Sequence, residues 1–261
     1  MPEIALFSLL GFGVGIFSGL LGIGGAILMI PAALFLPGFM GFPAIGLKQA
    51  TGLAATQGLA SSISGFWVHH RNKNLSLTLI QQIGLLVMPS SFLGAWASAY
   101  CPDWLLKTVY IVTLLWVMRQ YIRKTSDISE ESDARAINTG ADAIFKEPGL
   151  LITIVGIGVL SGMLGLGGAI LLIPILQKHL KLPLKFAIGT TSGIVALSCL
   201  TAFIGKYQTG LIALPLAAAI TLGALLGAAI GAKLTKHAPE ALLRWLLFGF
   251  ASLALLRILL T

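Results

Sequence analysis

The chain has 261 residues, of which 57% are hydrophobic and only 10% charged, and its mean hydropathy is +0.95. A soluble domain keeps about a quarter of its residues charged, so this composition excludes an ordinary soluble protein and predicts a polytopic membrane protein. The net charge of +8 comes from Lys and Arg between apolar runs, without a basic stripe or recognition motif. That distribution indicates the lipid bilayer as a partner and argues against nucleic acid.

Eight apolar segments follow one another along the chain and predict an all-α fold. They are residues 4–36, 46–68, 75–98, 104–122, 148–177, 185–205, 210–233 and 240–260. Each is long enough to cross a bilayer. The charged stretch 124–147 holds six of the nine carboxylates. We therefore expect one membrane domain with a first repeat at 1–123, a cytoplasmic linker at 124–147 and a second repeat at 148–261.

A seventeen-residue stretch occurs in both halves of the chain. Gly15 to Pro31 reads GIFSGLLGIGGAILMIP, Gly158 to Pro174 reads GVLSGMLGLGGAILLIP, and twelve positions are identical. Further matches follow in the same order, namely Lys48-Gln-Ala-Thr-Gly with Lys185-Phe-Ala-Ile-Gly, Leu93-Gly-Ala with Leu226-Gly-Ala, and Pro102-Asp with Pro239-Glu. The two halves are therefore copies of one four-segment unit.

The first segment of each half is too long for one upright span. Residues 4–36 would form a helix of roughly 50 Å, whereas the hydrocarbon core is about 30 Å thick. Glycines also interrupt both copies, and each glycine weakens a helix interior by about 1 kcal/mol. The pattern predicts a broken or fold-back helix at Gly22, Gly24 and Gly25, and again at Gly165, Gly167 and Gly168.

The loop charges favour the fold-back. With single spans the alternate loops carry nine and eight basic residues, whereas fold-back segments give 13 on one side and 4 on the other. The positive-inside rule prefers the uneven split. The halves are then inverted repeats, with both termini outside a bacterial-type inner membrane; full crossing would give ten short spans, and partial entry six spans with two re-entrant loops. The four basic residues of the outer side are Lys48, Lys107, Lys206 and Arg257.

The glycine breaks are the first candidate for a binding site. Glycine lets backbone N–H groups face a cavity, and the helix that begins after the break presents its positive dipole end, which suits an anion. Close helix packing is the alternative reading, and we prefer it for the glycines spaced by four at 11, 15 and 19 and at 223, 227 and 231. The predicted site residues here are Ser18, Gly22, Gly24, Gly25, Ser161, Gly165, Gly167 and Gly168.

Polar residues in and before the second segment of each half extend this candidate site. Thr190, Thr191 and Ser192 form the densest hydroxyl cluster, and Thr51 and Gln57 lie in the first half. Such hydroxyl groups also bond back to their own helix. Lys48 and Lys185 precede the two segments, either as guides for an anion or as interfacial lysines. The four histidines, His69, His70, His179 and His237, fall in predicted cytoplasmic loops.

The carboxylates are informative because none lies in the middle of an apolar segment. Proton and cation pathways usually need buried acids, so their distribution disfavours a cation carrier. The two cysteines, Cys101 and Cys199, lie in unrelated segments and predict neither a disulfide framework nor a metal site. We expect no cofactor and no enzymatic activity, since no nucleophile has a plausible base.

With these motifs in view, the chain resembles the TauE/SafE sulfite-exporter family over nearly its whole length. The resemblance rests on the twin Ser-Gly-x-x-Gly-x-Gly-Gly-Ala segments, the Lys-x-Ala-x-Gly-Thr-Thr-Ser start of the sixth segment and the Leu-Gly-Ala segments. It implies movement of sulfite or related organosulfur or carboxylate anions. One departure is Leu53-Ala54-Ala55, which stands where the second half has Thr190-Thr191-Ser192.

The combined prediction is an inverted-repeat exporter of a small organic or sulfur-containing anion, working by alternating access around the glycine breaks. An anion channel with the same site and a membrane assembly subunit without transport are the alternatives. The identity of the anion, the coupling and the oligomeric state are open at this point.

Overall fold

The computed structural model describes residues 2–21, 24–42, 45–122, 147–180 and 182–235, with scattered positions between 239 and 256. This part of the chain is all-helical. Its helices are α1 (Pro2–Leu21), α2 (Ala26–Phe39), α3 (Leu47–Arg71), α4 (Leu77–Ser98), α5 (Asp103–Ile122), α6 (Pro148–Leu164), α7 (Ala169–Leu180), α8 (Leu184–Gln208) and α9 (Leu214–Thr235). The first seven predicted segments lie on these helices. The eighth segment and nearly all of the predicted linker lie outside the described residues.

Four of the helices are long and apolar enough to cross a membrane, namely α1, α4, α8 and α9. Large apolar side chains such as Leu9, Leu85 and Ile152 point outward from the bundle. Such a surface suits lipid, which is as apolar as the side chains themselves. The helix α3 is equally long at 25 residues, but it buries polar side chains such as Thr56 and Gln57.

The glycines spaced by four bring two pairs of helices into backbone contact. In α1, Gly11, Gly15 and Gly19 lie against Ile220, Ala224 and Ala228 of α9. In return, Gly223, Gly227 and Gly231 lie against the carbonyl groups of Ser8, Phe12 and Ile16. The prediction that these glycines form packing surfaces is confirmed. The equivalent pair of helices, α4 of the first repeat and α6 of the second, makes the same contact, because Gly94 of α4 meets Val159 of α6 and Gly162 of α6 meets Ser91 of α4.

The centre of the bundle is formed by α3 and α8, which hold equivalent places in the two repeats. A methyl group placed on Gly58 of α3 would lie 2.7 Å from the Cys199 sulfur of α8, and one on Gly65 would lie 3.5 Å from the Ser192 hydroxyl. Residue numbers rise along one helix as they fall along the other. The two helices therefore run in opposite directions.

Three histidines predicted in loops belong to helices instead. His69 and His70 lie in the last turn of α3, because that helix continues to Arg71, and His69 is buried. His179 lies in the last turn of α7, which ends at Leu180. The predicted segments end at residues 68 and 177, before these helices end, because a helix can continue through polar residues in its last turn. His237 lies outside the described residues.

Candidate functional site at the paired helix breaks

Both glycine clusters interrupt a helix, as predicted. The helix α1 ends at Leu21 and α2 begins at Ala26, while α6 ends at Leu164 and α7 begins at Ala169. Left-handed backbone angles occur at both breaks, with φ between +70° and +81°. Residues other than glycine rarely adopt this conformation, so the backbone at the two breaks requires glycine at these positions. These glycines are Gly24, Gly25, Gly165, Gly167 and Gly168; Gly22 lies outside the described residues.

The chain doubles back at each break. A methyl group on Gly25 would lie 3.0 Å from Ser18 Cβ and 3.1 Å from Val14 Cγ1, so α2 begins alongside α1. A methyl group on Gly168 would likewise lie 3.4 Å from Ser161 Cβ. The returning limbs α2 and α7 have 14 and 12 residues. At 1.5 Å per residue they measure about 21 and 18 Å, shorter than a hydrocarbon core of about 30 Å.

The two breaks meet at the centre of the bundle. A methyl group on Gly24 would lie 2.9 Å from Val195 Cγ1 and 3.5 Å from the carbonyl oxygen of Leu166 in the other break. Gly167 lies against the same Val195 methyl group, and Gly58 of α3 completes the contact. The helix that begins after each break therefore directs its amino end toward this meeting point.

Unpartnered polar atoms surround the first break. The Ser18 hydroxyl and the Gln57 amide oxygen are buried and have no hydrogen-bond partner in the described part of the chain. A methyl group on Gly25 would lie 3.2 Å from Gln57 Cγ, so both side chains flank the same glycine. The Gln57 nitrogen donates to the Gly11 carbonyl oxygen over 3.2 Å and to the Ser61 hydroxyl over 3.1 Å. Such unpaired buried atoms cost about 1–3 kcal/mol each, which marks a place where a polar ligand would be stabilised.

The second break is different because its hydroxyl groups pair with one another. Ser161 and Ser198 lie 3.0 Å apart, and the Ser198 hydroxyl donates to that of Ser91 over 3.1 Å. In the register that aligns Lys48 with Lys185, the place of Gln57 is taken by Ile194 in the second repeat. An apolar side chain there leaves the serines to satisfy each other.

The predicted cluster at 190–192 lies away from the breaks, near the turn between α3 and α4. The Thr190 hydroxyl accepts a hydrogen bond from the Ser76 backbone nitrogen over 3.2 Å. Thr191 and Ser192 donate to carbonyl oxygens of their own helix, at 2.8 Å and 2.9 Å for the i−4 partners. All three hydroxyl groups thus have structural partners in this conformation.

The two predicted guide lysines lie near opposite ends of the bundle. The Lys48 ammonium donates to the Ala99 carbonyl oxygen over 2.9 Å and lies 4.0 Å from the Asp103 carboxylate. Lys185 is half-buried in the first turn of α8. The Thr51 hydroxyl donates to the Lys48 carbonyl oxygen over 2.7 Å, which holds it at the start of α3.

The apolar pattern places Lys206 in an outer loop, and the structure corrects this prediction. It lies in the last turn of α8 and is completely buried. Its ammonium donates three hydrogen bonds, to the Thr51 hydroxyl and the Ser98 hydroxyl, each over 2.9 Å, and to the Met163 carbonyl oxygen over 3.0 Å. One feature of the sequence indicates that the helix extends past Lys206: residues 206–209, which lie between the apolar segment and Gly210, include no helix-breaking residue.

Comparison with known proteins places this architecture in a family. The family model described as sulfite exporter TauE/SafE matches residues 7–258. A probable membrane transporter protein of Methanocaldococcus jannaschii is 28% identical over 254 residues, which cover 94% of this chain and 91% of the relative. The probable membrane transporter protein YdhB of Bacillus subtilis is 27% identical, with 93% and 95% of the two chains covered. No solved structure gives a significant match.

Proposed function

Because the chain belongs to the sulfite exporter TauE/SafE family of membrane transporters, we propose that it exports a small anion such as sulfite or an organosulfonate across a bacterial-type inner membrane. One observation carries the proposal: the two glycine breaks meet at the centre of the bundle, beside buried polar atoms that have no hydrogen-bond partner among the described residues. A transported ligand has to be held near the middle of the membrane, and broken helices are the usual place for it.

The chemistry at the breaks suits an anion. The first N–H groups of a helix have no partner within that helix, and together with the dipole they attract negative charge. Two such amino ends, those of α2 and α7, begin at Gly25 and Gly168 beside the meeting point. The Ser18 hydroxyl adds a donor, and the Gln57 amide oxygen adds an acceptor for a protonated oxyanion or its water. The proposed binding residues are thus Ser18, Gly24, Gly25, Gln57, Gly167 and Gly168.

We propose alternating access between inverted repeats as the mechanism. The opposite directions of α3 and α8, which are equivalent in the two halves, support the inversion. The pairing of α1 with α9 and of α4 with α6 also exchanges helices between the halves in a reciprocal way. In such an arrangement a tilt of one repeat against the other would open the central site first to one side and then to the other.

The export direction follows from electrostatics. An inside-negative membrane potential drives an anion outward by about 2.3 kcal/mol per charge per 100 mV. All nine carboxylates lie at the ends of apolar segments, in the linker or near the amino terminus, which argues against a proton or cation relay through the membrane. The anion could therefore leave along the potential without a coupling ion.

Flux measurements on the purified full chain in proteoliposomes test this proposal. We expect saturable efflux of at least one anion from a panel of sulfite, sulfoacetate and simple carboxylates, and we expect anion on the far side to accelerate it. Flux that does not saturate would favour the anion channel instead. No flux of any panel member would favour a membrane subunit without transport. Ser18→Ala should raise the half-saturating concentration, because it removes a donor beside Gly25.

A further inference from the structure

Lys206 is a buried cation that the proposed glycine site does not use. Its side chain is completely buried, and its three N–H donors all bond to neutral oxygen atoms. Those oxygens belong to three different helices, since Thr51 is in α3, Ser98 is in α4 and Met163 is in α6. One ammonium group thus connects four helices from both repeats.

No carboxylate compensates this charge in the part of the chain that the structure describes. The ion pair found among those residues joins Lys48 to Asp103, with 4.0 Å between nitrogen and oxygen. Burying an unpaired cation within a membrane protein is expensive, and such residues commonly mark the pathway of a substrate or ion. A transported anion would supply a negative partner at this position.

The ammonium group lies directly at the second helix break. Met163 is the last residue but one of α6, so Lys206 bonds to a carbonyl oxygen at the negative end of that helix. The next glycine, Gly165, lies against the carbonyl oxygen of Thr51, whose hydroxyl also accepts from Lys206. From Cys199 at the central contact, Lys206 is seven residues along α8, or about 10 Å.

The first break shows that a helix end of this kind does not need a charge. There the Thr235 hydroxyl donates to the Leu20 carbonyl oxygen over 2.8 Å and to that of Gly19 over 3.3 Å. Leu20 is the counterpart of Met163 in the repeated stretch. A neutral hydroxyl thus satisfies the end of α1, so the cation at the end of α6 calls for a further explanation.

We propose that Lys206 is the counter-charge of the transported anion, at a second subsite between the central glycine contact and the end of the bundle where α8 finishes. An oxyanion arriving there would replace the neutral Ser98 hydroxyl as a partner of the ammonium, and the Thr51 hydroxyl would turn to donate to it. Charge-assisted hydrogen bonds of this kind are about twice as strong as neutral ones. This inference rests on the proposed anion transport.

Binding of sulfite to the purified full chain, measured by calorimetry, tests the subsite in four variants. Lys206→Met should weaken binding by about tenfold or more, because it removes the charge. Lys206→Arg should retain most of the affinity. Ser98→Ala should tighten binding severalfold, because the ammonium loses a competing neutral partner. Thr235→Val, the matched control, should leave affinity unchanged even if it lowers the unfolding temperature.

Three binding results would overturn the inference. The first is wild-type affinity in Lys206→Met, and the second is an equal loss of affinity in Thr235→Val, which would indicate a common capping role. The third is unchanged or weaker binding in Ser98→Ala, which decides the matter even if Lys206→Met does not fold. Normal anion flux in a folded Lys206→Met variant would refute the subsite alone. Absence of all anion flux in the wild type would refute the proposed function as well.

Discussion

Gly19 of α1 and Ala228 of α9 touch through their backbones, so that a methyl group on Gly19 would overlap the Ala228 carbonyl group. The same relation recurs between Gly94 of α4 in the first repeat and Val159 of α6 in the second. In lipid, helices associate through close packing because the hydrophobic effect gives them no preference for one another. These glycine contacts therefore hold the two repeats together around the site.

A substitution at this contact should destabilise the bundle. We expect Gly19→Ala to lower the free energy of unfolding by about 1–3 kcal/mol, because the backbones have to separate. Gly13→Ala is the matched control, since a methyl group there meets no atom within 4 Å and alanine favours the helix. Thermal unfolding in detergent measures both variants. Equal stability of the two variants would contradict the packing role of Gly19.

The contact between Gly167 and Val195 should show coupling between the two positions. Gly167→Ala places a methyl group against the Val195 side chain and also strains a left-handed backbone with φ +70°. We expect Val195→Ala to recover part of the loss of stability, because it removes the closest overlap and leaves the contact with the Cys199 sulfur and a backbone strain of about 1–2 kcal/mol. A double-mutant cycle on unfolding in detergent measures the recovery. Strictly additive losses would argue against the contact.

The two serines of the repeated motif should behave differently although their sequence contexts match. Ser161 shares a hydrogen-bonded cluster with Ser198 and Ser91, so Ser161→Ala should cost about 1 kcal/mol of stability. The Ser18 hydroxyl has no partner among the described residues, so Ser18→Ala should leave stability unchanged or slightly raised. Chemical unfolding of the ligand-free protein compares them. A larger loss at Ser18 would mean that its hydroxyl has a structural partner after all.

Labelling from the two sides of the membrane tests the proposed orientation. Lys73, in the turn after α3, and Gln208, at the end of α8, are both exposed and lie at opposite ends of the bundle. We expect Lys73→Cys to react only from the cytoplasm and Gln208→Cys only from outside, in a chain with Cys101 replaced by Ser. Cys199 is completely buried and can stay. Reaction of both positions from one side would refute the inverted arrangement.

Much of the fold could be predicted from local patterns. The apolar segments and the glycine breaks can be recognised from residues that are close together in the chain. The described helices follow those segments, and α1 and α6 end at those breaks. The end of α8 cannot be located from the sequence, because the apolar pattern stops at residue 205. The helix continues through Lys206 to Gln208. The role of the hydroxyl groups at 190–192 also cannot be predicted from the sequence. A hydroxyl that bonds to its own helix and one that faces a pathway have the same sequence pattern.

Hydrophobicity and glycine content are properties of each segment alone, so the amino-acid pattern is sufficient to predict a duplicated helical membrane protein broken twice at glycine. Helix packing is needed to show which polar groups have no partner among the described residues and which cation is buried. Ser18 and Ser161 occupy equivalent positions of the repeated stretch, yet Gln57 lies near one and a serine pair near the other. Burial and hydrogen bonding are set by residues that are distant in the chain, and those contacts form only when the helices pack.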